Sequence, residues 1–100
     1  MGLKTFFDGI YIDGSAYEEE LEYPIKLEYY KTFETQENVG AKYGIEIVKT
    51  EFIQGKINVE SKRVEDITNI SSKIDEILTI LKDNEVTPIG MQDVLEDMNI

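Results

Sequence analysis

Asn84-Glu85-Val86-Thr87-Pro88 splits the last third of the chain into two helices, and that split decides the fold. Before the joint, Ile74, Ile77, Leu78 and Leu81 recur at three- and four-residue spacing, one apolar stripe along a helix. Ser72 is a candidate cap for that helix, Asp75 and Glu76 suit the positive end of its dipole, and Lys82 suits the other end. After the joint, Thr87 offers a capping hydroxyl, and Pro88 has no N–H to leave unsatisfied at a first helical position. Met91, Val94, Leu95 and Met98 form the stripe of the second helix. Residues 70–100 therefore read as a helical hairpin, and the joint as a capped turn.

Working towards the N-terminus, the periodicity changes to two. Ala41, Tyr43, Ile45 and Ile47 alternate with Lys42, Gly44, Glu46 and Val48, the cleanest strand in the chain. Gln54-Gly55-Lys56 turns it back, and Ile57 and Val59 share a face of the next strand. Ile25, Leu27, Tyr29 and Phe33 alternate with polar neighbours and with Tyr30, Lys31 being the exception. Phe6–Ile12 is aromatic and β-branched and is followed by the turn residues Asp13-Gly14-Ser15. Short connections favour neighbouring antiparallel strands. The expected fold is α+β, an antiparallel four-stranded meander followed by a two-helix hairpin packed on one face. Residues 1–100 form a single domain, with a variable acidic part over 1–24, the sheet over 25–63 and the hairpin over 70–100.

Two absences limit the chemistry. The chain has no cysteine, hence no disulfide framework, thiolate nucleophile or zinc–sulfur site. It has no histidine, which removes the usual general base and the commonest transition-metal ligand. No catalytic residues, cofactor or metal site are expected. Apolar runs are far too short for a membrane span, and the N-terminus lacks the apolar core of a signal peptide, so a cytoplasmic location is expected.

The net charge of −11 is unevenly distributed. Residues 5–25 hold six acids and no base, residues 83–100 hold five acids and no base, and residues 26–63 hold seven bases against six acids. A chain of this sign is repelled by nucleic acid and by anionic membrane surfaces. The adjacent carboxylates Glu18-Glu19-Glu20 and Glu22 follow no calcium-loop pattern and offer at most diffuse cation attraction.

Tyr43-Gly44-Ile45-Glu46-Ile47, Asn84-Glu85-Val86-Thr87-Pro88 and Asp93-Val94-Leu95-Glu96-Asp97 together resemble a family of small bacterial proteins from low-GC Gram-positive genomes. That family ends in Asn-x-Val-Thr-Pro-Val, a short spacer, Asp-Val-Val-Glu-Asp and an aromatic residue. The likeness spans residues 25–98, its specific part being 84–97; Met98-Asn99 stands where the family places the aromatic. The resemblance implies a domain of unknown function and supplies no activity.

The candidate contact residues are therefore surface groups. Asp93, Glu96 and Asp97 fall on one helical face, where like charges repel, and two of them sit in the last turn, where the dipole prefers cations. Tyr30, expected on the outer face of the sheet beside Glu28, is the candidate contact aromatic. The first functional reading is a non-enzymatic interaction module for an unknown basic protein partner. The alternative is an acidic decoy that mimics nucleic acid and blocks a DNA- or RNA-binding protein, against which the near-neutral middle of the chain weighs. A strip of Phe7, Tyr30 and Val48 on the outer face would favour weak self-association as a homo-oligomer.

Overall fold

Alternation of side chains, carried over most of the first 68 residues, builds the expected antiparallel sheet in a computed structural model that describes residues 2–12, 24–36, 40–53 and 55–100. The strands are β1 (Gly2–Ile12), β2 (Ile25–Gln36), β3 (Gly40–Ile53) and β4 (Lys56–Thr68), ordered β1-β2-β3-β4. Helices α1 (Ser71–Asp83) and α2 (Pro88–Asp97) follow. The sheet is larger than residues 25–63. β1 pairs with β2 from Gly2↔Glu34 to Ile12↔Ile25, and β4 runs on to Thr68. The turn at Asp13-Gly14-Ser15, Tyr23 and the glutamates at 18–20 and 22 lie outside the described residues.

One face of the sheet is covered. Leu27 and Tyr29 of β2 and Ile45 and Ile47 of β3 are fully buried against Ile74, Leu78 and Leu81 of α1 and Met91 of α2. Both predicted helical stripes point into this core, Val94 and Met98 at its margin. The helices are too short to cover the sheet: at about 1.5 Å per residue in a helix and 3.3 Å in a strand, α1 is less than half the length of β3. The β3–β4 hairpin therefore extends past the helices, and most residues of β4 are exposed.

Opposite charges clamp α1 at both ends. Lys31, the inward-facing exception in β2, donates to Ser71 Oγ at 2.6 Å and to Asp75 Oδ1 at 3.0 Å. At the other end Lys82 pairs with Asp8 of β1 at 3.1 Å. Ser72 is not the cap. The helix starts two residues earlier than that reading requires, with Ile70 in the cap position and making no side-chain cap bond. Asp75 and Glu76 consequently lie beyond the first turn. Thr68 Oγ1 instead accepts from the Ile70 N–H just ahead of the helix.

The joint is a capped turn. Glu85 takes a left-handed conformation (φ 51°), so that its N–H reaches the Lys82 carbonyl and the Val86 N–H reaches that of Leu81. The chain then enters α2 through Thr87, whose hydroxyl accepts from the Gly90 N–H, with Pro88 in the first turn.

Phe7 corrects the expected outer strip. A bulge between Phe6 and Asp8 adds one residue to β1 and breaks the alternation, so Phe7 packs against the core while Phe6 faces outwards. Phe6 meets Tyr30 edge to face, with centroids 5.7 Å apart.

Candidate functional site

The outer face of the sheet, which no helix covers, holds a closed charge cluster. Glu46 of β3 is largely buried between Lys4 of β1, whose Nζ donates to Oε2 at 2.8 Å, and Arg63 of β4, whose Nε donates to Oε1 at 2.9 Å. Burial alone would raise the Glu46 carboxyl, but the bonds from Lys4 and Arg63 outweigh it and hold it below the ordinary carboxylate value. Tyr30 stands beside this cluster on the outer face, as expected. Its hydroxyl donates to Glu28 Oε2 at 3.0 Å, and Lys4 lies 4.5 Å from its ring centroid. Burial, and then Glu28, pushes the phenol upward. Tyr30 is half-buried and engaged on both sides, whereas Phe6 and Tyr11 are 55% and 63% exposed.

Several of the sheet's other acids are also matched. Glu28 pairs with Lys26, Glu51 with Lys49, Glu65 with Arg63 and Asp8 with Lys82, and on α1 Asp75 pairs with Lys31. A cleft of about 20 Å³ adjoins this face beside Thr32, Gly44 and Arg63, enough for a water and little else.

The second helix is different. Pro88, Met91 and Leu95 turn inward, which leaves Asp93, Glu96 and Asp97 on the solvent side, all exposed. Among the described residues none of the three has an ion-pair partner, and the last turn of α2 contains no base. Gln92 Nε2 approaches Glu96 Oε1 at 3.5 Å. Ile89, one helical turn before Asp93, is 77% exposed, an apolar side chain beside the carboxylates. Sequence reading missed Ile89 because it falls outside the apolar stripe; that same offset was the available signal. Tyr30 and the α2 carboxylates lie on opposite faces of the sheet, so the four candidates form no single site.

Among the described residues no group of three or more metal-ligating side chains is placed to hold an ion, and no helix is long and apolar enough to cross a membrane.

The architecture is thus that of a small α+β domain, a four-stranded antiparallel sheet followed by two helices. The chain belongs to a family of unknown function, DUF6514, whose profile matches residues 11–99. Comparison with curated proteins and with solved structures gives no match.

Proposed function

We propose that this protein is a non-enzymatic interaction module of the cytoplasm that docks a basic segment of another protein on the exposed face of α2. One observation carries the reading: Asp93, Glu96 and Asp97 gather on a single exposed face of α2 with no cationic partner among the described residues, whereas Glu46, Glu51 and Asp75 are each held by a lysine. Their placement works against the helix, because neighbouring like charges repel and the C-terminal end of the dipole disfavours anions. Lys or Arg side chains of a partner would relieve both terms, and Ile89 adds an apolar contact at the rim. The absence of histidine and cysteine from the chain supports a binding role over a catalytic one. Lys4, Lys26, Lys42 and Arg63 interrupt the acids of the outer face, which favours this reading over a continuous phosphate-like track.

The test is affinity capture from native lysate with the wild-type chain and with the triple variant Asp93→Lys, Glu96→Lys, Asp97→Lys. The expected result is a basic protein retained by the wild type, released by salt and lost from the variant. Identical captures by both proteins would refute the assignment of the surface.

A further inference from the structure

We propose that a second copy of this chain docks edge to edge on β4, antiparallel, with a two-fold axis at Ser61. β4 is an outer strand of the sheet, so one side of its backbone has no strand partner. Its pairing with β3 is regular from Lys56↔Ile53 to Val64↔Ile45, which leaves a straight run of free donors and acceptors. The opposite edge is a poorer template. β1 is interrupted by its bulge, and its two charges, Lys4 and Asp8, are already tied to Glu46 and Lys82.

The side chains of β4 fix both the occupant and the register. With Ser61 opposite Ser61, Glu60 of each copy faces Lys62 of the other, giving two cross-strand ion pairs. Val59 then lies opposite Arg63, and Asn58 opposite Val64. Shifting the axis by one residue sets Glu60 against Glu60 or Lys62 against Lys62, and directly opposed like charges are destabilising. A register that placed Glu60 against Arg63 is excluded, because the two lie on opposite faces of β4 and residues opposed in an antiparallel pair share a face. Among the described residues, Glu60 and Lys62 have no ion pair within the chain, so both are available. β4 also carries three bases and three acids, a neutral strip in a chain of net charge −11, where two copies meet with least repulsion.

A second feature marks the same place. Glu60, Ser61 and Lys62 line an open groove of about 520 Å³ whose other wall is Pro88 and Ile89 of α2. Glu60 and Lys62 lie on the helix-covered face, so the proposed pairing keeps the helices of both copies on one side. The two grooves then meet at the axis, and the exposed Ile89 side chains flank it. The interface is isologous, as a two-fold axis requires.

The experiment is sedimentation equilibrium of the full chain over a broad concentration series at about 150 mM salt, where long-range repulsion is screened. The wild type is expected to dimerise with rising concentration. Glu60→Lys and Lys62→Glu should each weaken the dimer about tenfold or more, because each places like charges opposite twice. An equimolar mixture of the two variants should associate again, since their edges are complementary. Independently, Ser61→Cys in this cysteine-free chain should cross-link on mild oxidation much faster than Thr79→Cys on the exposed side of α1. A wild type that stays monomeric throughout, a dimer indifferent to either reversal, a mixture no better than its components, or equal cross-linking at both positions would each overturn the proposal.

Discussion

The Tyr29 hydroxyl donates a 2.8 Å hydrogen bond to the Val86 carbonyl, joining the second strand to the turn between the helices across 57 positions of sequence. Tyr29 is fully buried, and the left-handed Glu85 aims the Val86 backbone at it. The helical hairpin is thus fixed to the sheet by a polar contact inside an otherwise apolar core.

Tyr29→Phe removes that donor and leaves the Val86 carbonyl without it, at a cost of about 1–3 kcal/mol in a urea melt. The effect depends on pH in a defined direction. Burial, and then the charge of Glu85, pushes the Tyr29 phenol well above its ordinary value of 10.0. The fold therefore favours the neutral form, and this contribution is complete below pH 10 and lost as the pH rises through the folded value. The stability gap between wild type and Tyr29→Phe should narrow steadily in melts above pH 10.

Glu46→Gln tests the outer cluster with the opposite sign. Although burial raises the Glu46 carboxyl, Lys4 and Arg63 lower it further, to a net value below the ordinary 4.5. Its stabilising effect is present above that value and lost as the pH falls through the folded one. The substitution should cost about 1 kcal/mol at neutral pH, a modest figure because Lys4 and Arg63 are both substantially exposed. In melts taken well below pH 4.5 the difference should disappear.

Much of this architecture is legible in the sequence, because it depends on local periodicity. The alternation around Ala41–Val48, the stripe Ile74–Leu81 and the Thr87-Pro88 start each need only a few neighbouring residues. What sequence reading missed depends on distant contacts. The Glu46 cluster brings together residues 17 and 42 positions away from it. Lys31 looks like a break in the β2 pattern until Ser71 and Asp75 are seen opposite it. The bulge at Phe7 reverses one side chain with no turn residue to announce it, and α1 begins at Ser71 without a side-chain cap to mark its start. Among the candidate site residues, the exposure of Asp93, Glu96 and Asp97 followed from the helical stripe. The engagement of Tyr30 by Phe6 and Lys4 did not, since it requires the register of β1.

Gly44 is the most sterically demanding position in the sheet. A methyl group built there would fall on the Val64 carbonyl oxygen and lie 2.6 Å from Thr32 Oγ1 and 2.9 Å from Glu65 Cα. β4 presses against β3 at this point because the pairing shifts between Tyr43 and Ile45. Backbone cannot yield as a flexible side chain can, so Gly44→Ala should destabilise by about 2–3 kcal/mol in a thermal or denaturant melt.

The proposed docking face requires the carboxylates of α2 to be surplus to the fold. A guanidinium melt of the triple variant Asp93→Lys, Glu96→Lys, Asp97→Lys tests it most directly. Each reversal adds two charges, taking the net charge from −11 to −5, and the new cations suit the C-terminal end of the dipole. The predicted midpoint is equal to that of the wild type or higher. A variant that loses more than about 1 kcal/mol, or fails to fold, would show that the acidic face serves the structure itself.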